Sequence, residues 1–147
     1  MSNNNVIESL KKTLAEEYTL QIKTQNFHWN VEGPLFFSLH KLFEEQYGEI
    51  SEFVDSAAET LRAMKSRAPG SFTEFKTLSS IQEPPSEKLN ANQMIEMLTQ
   101  DHTAVATAFK ARLEEAEEAG EINAVTLYED LITFHEKAAW MIRSHRS

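Results

Sequence analysis

The sequence predicts an all-α protein: four long helices in a bundle, with a long crossover between the second and third that carries one short helix. Three observations lead there. Apolar residues recur every three to five positions over long stretches. The breaks Gly33-Pro34, Pro69-Gly70, Pro84-Pro85 and Gly120 leave those stretches largely uninterrupted. One segment in the middle of the chain gathers proline, serine and threonine, the composition of a connection.

The first helix runs from Val6 to Val31, with Val6, Ile7, Leu10, Leu14, Tyr18, Ile22 and Phe27 along its apolar stripe. Gly33 stops it, and Pro34 suits the first turn of the next helix. The second helix spans Leu35 to Met64 and buries Leu39, Leu42, Phe43, Ile50, Phe53, Val54, Ala57 and Leu61. Lys65–Leu89 is the crossover, with a short helix near Phe72–Leu78. The third helix spans Asn92 to Ala119, with Met94, Ile95, Leu98, Val105, Phe109 and Leu113 in register, and Gly120 ends it. The fourth runs from Asn123, a suitable N-cap, to Arg143, and its apolar residues are Val125, Leu127, Leu131, Ile132, Trp140 and Met141. Two tight connections around one long crossover match the ferritin-like bundle better than an up-down-up-down bundle.

Bulk composition narrows the chemistry. A length of 147 residues suits a single domain. With no cysteine, disulfides, thiolate metal sites and thiol catalysis are excluded, so metal ligands must come from His, Asp and Glu. The N-terminal residues lack the apolar run of a signal peptide, and no window reaches the ~20 apolar residues of a membrane span, so a cytoplasmic protein is expected. A net charge of −9 disfavours nucleic acid and acidic membranes and favours cations.

The second helix carries two pairs at i,i+4 spacing: His40 with Glu44, and Asp55 with Glu59. Each pair shares a helix face and can hold a cation. Alone, either is a common surface feature. Around the helix, positions 40, 44, 55 and 59 fall at roughly 0°, 40°, 60° and 100°, so all four lie on one stripe. Along the axis, however, His40 and Asp55 are about 22 Å apart, and one chain cannot close both pairs on one centre.

A two-fold axis removes that difficulty. The pairs are symmetric about the point between Glu49 and Ile50, because 40 plus 59 equals 44 plus 55. Antiparallel packing of two copies of the helix would set His40 and Glu44 of one subunit opposite Asp55 and Glu59 of the other, giving two identical sites. Gly48 beside the midpoint would let the backbones approach; the alternative is a simple local weakening of the helix. His28, five residues before Gly33, can fold back toward His40, although a histidine between Phe27 and Trp29 is also an ordinary packed residue. Nitrogen with carboxylate oxygen and no sulfur accommodates ferrous iron, manganese or zinc.

The stretch from Lys23 to Met64, KTQNFHWNVEGPLFFSLHKLFEEQYGEISEFVDSAAETLRAM, resembles the ferroxidase signature of the Dps family of mini-ferritins: HWNV, then GP, then LH, an acid four residues on, and D-x-x-x-E. Ser79–Ile81 and His135–Arg143 extend the likeness. The resemblance implies a di-iron ferroxidase in which His28, His40 and Glu44 come from one subunit and Asp55 and Glu59 from its mate. It implies further a hollow homo-dodecamer that oxidises ferrous iron, preferably with hydrogen peroxide, and stores ferric mineral. The family usually has Asp where Glu44 stands, which leaves open whether Glu44 ligates directly or through water.

The same resemblance gives Trp29 and Tyr47 a possible second use, interception of stray radicals, beside the plain one of packing. It draws iron inward along acidic side chains at three-fold axes. Here Ile122 and Thr126 stand where many relatives have Asp, with Glu121, Glu129, Asp130 and Glu136 as nearby substitutes. Glu45, Glu49 and Glu52 suit a mineral-nucleating stripe or a plain solvated one. Relatives that compact DNA often use a lysine-rich tail. Met1–Asn5 has no lysine, and the C-terminal basic cluster is only Arg143, His145 and Arg146, so DNA binding is expected to be weak or absent. Two rival readings stay open: an architectural DNA-binding protein with secondary iron chemistry, and a non-catalytic helical interaction protein. His102, His135 and His145 are assigned to surface or packing roles.

Overall fold

A computed structural model describes residues 2–146, and among them every regular element is a helix. These are α1 (Ser2–Asn30), α2 (Phe36–Ala63), α3 (Phe72–Leu78), α4 (Ala91–Ala119) and α5 (Ile122–Arg143). No helix is long and apolar enough to cross a membrane. The crossover helix lies where the sequence puts it, capped by Ser71, whose hydroxyl accepts from the Glu74 amide. The first helix starts earlier than Val6: Ser2–Asn5 are helical, and Met1 lies outside the described residues.

Polar contacts fix the directions of the long helices. Lys23 reaches Asp101 at 2.7 Å and Ser9 donates to Glu115 at 2.6 Å, so α1 and α4 run antiparallel. Thr13 meets Tyr128 and Glu17 meets His135, so α1 and α5 run parallel. Tight turns make α1 antiparallel to α2 and α4 antiparallel to α5, and the crossover therefore leaves α2 parallel to α4. This is the ferritin-like bundle.

The crossover is pinned rather than draped. Thr19 donates to the Ser79 hydroxyl, Ser80 donates to Glu16, Lys23 donates to the Gln82 carbonyl, and Ile81 is buried beneath them. The core holds Leu10, Leu14, Leu20, Phe27, Phe43, Ile50, Leu98, Phe109, Tyr128 and Leu131 among others. Two residues of the expected apolar stripes face outward instead: Ile22 is 40% exposed and Trp140 53%.

The C-terminal ends of α4 and α2 use the same device with different residues. At the end of α4, the Glu121 amide donates to the Ala116 carbonyl and the Gly120 amide to the Glu117 carbonyl, with Gly120 left-handed at φ 71°. At the end of α2 the pattern repeats, Ser66 to Leu61 and Lys65 to Arg62, but the left-handed residue is Lys65 at φ 66°. A side chain there costs about 1 kcal/mol of backbone strain that glycine avoids. Lys65→Gly is accordingly expected to raise stability by about that much, read as a higher urea midpoint at unchanged slope.

The end of α4 also corrects the expected start of α5. Asn123 is not an N-cap. The turn that closes α4 hands over directly to Glu121, which occupies the cap position without a side-chain cap bond, and Asn123 lies inside the first turn.

Candidate metal centre

The fold-back after α1 places His28 directly on His40. Their rings stack at 3.9 Å between centroids with 13° between planes. Each Nδ1 lies 2.7 Å from the other residue's backbone carbonyl. A carbonyl only accepts, so both Nδ1 atoms must carry hydrogen. That fixes the tautomer each ring takes when neutral, with the Nε2 lone pair free, the arrangement by which proteins prepare imidazole for a cation.

Aromatic neighbours hold the pair in place. Phe36 stacks on His40 at 4.8 Å, and Tyr47 sets its ring against His28 at 5.4 Å. His28 is 8% exposed, while Trp29, its neighbour in sequence, is 65% exposed and packs little within the chain. Gly33, at φ 102°, makes the reversal possible, since a residue with a Cβ is strained there.

Glu44, Asp55 and Glu59 are exposed along α2, on the stripe that His40 begins. Within one chain the helix keeps Asp55 about 22 Å from His40 along its axis. Among the described residues, no three His, Asp or Glu side chains of one chain converge on a metal position. A Cβ added at Gly48 would meet nothing within 4 Å, so the middle of that stripe is open.

Of the surface and packing roles open to His102 and His135, burial selects packing; sequence reasoning missed the polar cluster they form. Both are fully buried, as is Glu17. Glu17 lies 2.6 Å from His135 Nε2, and His135 Nδ1 lies 2.7 Å from His102 Nδ1. Burial pushes the Glu17 carboxyl well above the usual carboxylate range, with Glu16 adding to the push. Burial likewise holds His102 well below the usual imidazole value, helped by His135, and takes His135 down to about 3. The signal was present: Glu17, His102 and His135 each occupy a core position in an otherwise apolar stripe, between Leu14 and Leu20, Leu98 and Val105, and Leu131 and Ala138.

His145 forms a third polar contact: Ser38 donates to its Nε2 at 2.7 Å, and its Nδ1 donates to the Met141 carbonyl. Next to it, Arg146 grips Glu96 through two bonds of 2.7 and 2.8 Å.

Residues 7–147 match the ferritin-like domain. The "DNA protection during starvation protein 2" of Bacillus anthracis is 35% identical over 142 residues, 97% of each chain. The crystal structure of Dps from Staphylococcus aureus superposes with a TM-score of 0.94 at 35% identity, covering 98% of this chain and 96% of that one. The chain belongs to the Dps family of mini-ferritins. Dps from Vibrio cholerae, described as a member of a broad superfamily of ferritin-like diiron-carboxylate proteins, superposes at 0.90 with 26% identity over 97% of this Dps chain and 89% of that structure.

Proposed function

We propose that two subunits pack α2 against α2 about a dyad and bind ferrous iron between them, His28, His40 and Glu44 from one and Asp55 and Glu59 from the other. The observation that carries this is the pair of free Nε2 lone pairs on stacked, tautomer-locked rings. The carboxylates sit on the same stripe at the mirrored distance, and a single chain leaves the set incomplete. Two neutral nitrogens and three carboxylates suit Fe(II), with Zn(II) or Mn(II) as substitutes.

In this reading iron is the substrate. Two ferrous ions each give one electron, and hydrogen peroxide accepts both, with two protons, to leave two waters. Pairing the ions means no one-electron product needs to escape. The histidines hold and orient the ions, and the mate's carboxylates offset the charge that grows as each ion becomes ferric. The ferric product is stored in a hollow shell of twelve subunits. An anaerobic ferrous titration of the assembled protein tests the reading: saturable binding of up to two ions per site and peroxide-dependent oxidation, both competed by Zn(II), are expected. Absence of saturable binding would leave the non-catalytic interaction protein as the better description.

DNA retention is the competing reading, since several relatives are named for DNA protection. The C-terminal basic cluster does not favour it, because Arg146 is neutralised by Glu96 within the chain. The protein is expected not to retard duplex DNA at physiological salt. A mobility shift that persists there and weakens steeply with added salt would reverse this conclusion.

A further inference from the structure

The chain Glu17–His135–His102 ends on an atom without a partner. His102 Nε2 is buried and makes no hydrogen bond within the protein, and both polar atoms of the Gln46 side chain are in the same condition. Gln46 is 4% exposed and lines a groove of about 550 Å³ between α2 and α5. Phe134 joins the two places: its ring lies 6.1 Å from His102 and also lines that groove. The groove is also lined by Glu45, Glu49, Glu52 and Asp130, with Lys137 the one cation among the described residues that line it.

Two contacts and one unpartnered nitrogen define a proton count. A 2.6 Å approach between Glu17 and His135 Nε2 needs one hydrogen between them, and so does the 2.7 Å approach of the two Nδ1 atoms. With His102 Nε2 protonated, the unit is neutral overall, as its burial demands. Of the charges near it, Glu16 is held by Arg112 and Asp101 by Lys23. Tyr128, packed beside Phe109, keeps its hydroxyl neutral, its pKa pushed up to about 12 by burial. Among the described residues, Gln46 is the one buried polar side chain of α2, and it is uncharged.

We propose that Glu17, His135 and His102 form a one-proton relay that exchanges its proton with the α2–α5 groove by way of Gln46. In discharge, the His102 Nε2 proton passes to water held by the Gln46 amide. The His135 Nδ1 proton crosses to His102 Nδ1, and the Glu17 proton crosses to His135 Nε2. The unit ends with a Glu17 carboxylate, His135 protonated on Nε2 and His102 on Nδ1, one proton poorer and one unit more negative. Uptake is the reverse. No ring turns; the groove carboxylates serve as the proton's partners outside.

The relay differs from a fixed hydrogen-bond chain in its tautomers. Solid-state nitrogen-15 spectroscopy of histidine-labelled, fully assembled protein, titrated from mildly acid to alkaline solution, reads them directly. The expected result is that His102 moves from Nε2–H to Nδ1–H while His135 moves from Nδ1–H to Nε2–H in one shared step. Gln46→Leu is expected to leave the acid-side tautomers as they are and to slow solvent exchange of the His102 proton at least 10-fold. Tautomers that stay fixed across the titration would overturn the relay. A shared switch whose exchange is indifferent to Gln46→Leu would equally overturn it, because the groove would not be its outlet.

Discussion

Co-assembly of His40→Ala subunits with Asp55→Ala subunits is expected to restore peroxide-dependent iron oxidation to about a quarter of the wild-type level, although either variant alone is inactive. The number follows from the dyad. If subunits pair at random, about half of the dimers are mixed, and in each mixed dimer one site combines both lesions while the other has neither. One intact site in two, in half the dimers, is about a quarter of all sites. Each variant alone should lose at least 100-fold in oxidation rate, since even a residue that only orients a metal ligand costs 10–100-fold in affinity or activity when removed. Neither substitution removes a core side chain, because Asp55 is exposed and His40 is only half-buried. Stopped-flow oxidation of the singly assembled and co-assembled proteins checks it. If the mixture shows no activity beyond that of its parts, the site is contained in one subunit or lies elsewhere.

The sequence announced most of this arrangement because its signals were local. Apolar residues at helical spacing mark α2 and α4, and Gly33 and Gly120 break the chain where left-handed backbone is required. Even the seven-residue α3 was bracketed by Gly70 and the Ser79–Ser80 pair. The His28–His40 pair was legible as a fold-back distance, but its tautomers were not, since they depend on carbonyls that only the turn geometry presents. Lys65 in left-handed backbone and Glu121 at a cap position without a cap bond were not legible either; in both, the hydrogen bonds of the closing turn overrode residue preference. Glu17, His102 and His135 were passed over for a different reason. A reader of apolar stripes discounts a polar residue at a core position, and only packing reveals that three such discounts coincide.

That buried cluster sets the largest expected effect of pH on stability. The unfolded chain titrates its histidines near 6.5 and its glutamates near 4.5, the ordinary values from which His102 and His135 are depressed and Glu17 is raised. The depressed histidines contribute stability that is full above pH 6.5 and is lost as pH falls below it, because the unfolded state gains two protons that the native core refuses. The raised carboxyl contributes stability that is full below pH 4.5 and is lost as pH climbs toward its native value, because the native state keeps a proton that the unfolded state has shed. Between those pH values the unfolded chain holds one more proton than the native unit; above 6.5 it holds one fewer. The two counts cross near pH 6.5, so this cluster gives a stability maximum there, with limbs of about 1.4 kcal/mol per pH unit. The count is the same whether the shared proton sits on Glu17 or on His135, so the prediction does not depend on that choice. Glu17→Gln removes the native state's extra proton while keeping a hydrogen-bonding side chain. Its stability relative to wild type should therefore rise with pH above about 4.5, flattening the alkaline limb and roughly doubling the slope of the acid one. Denaturant unfolding of the two proteins side by side from pH 5 to 8.5, ordinary conditions for such a titration, measures the difference. A difference curve that is level, or that slopes the other way, would mean that the native cluster holds no extra proton.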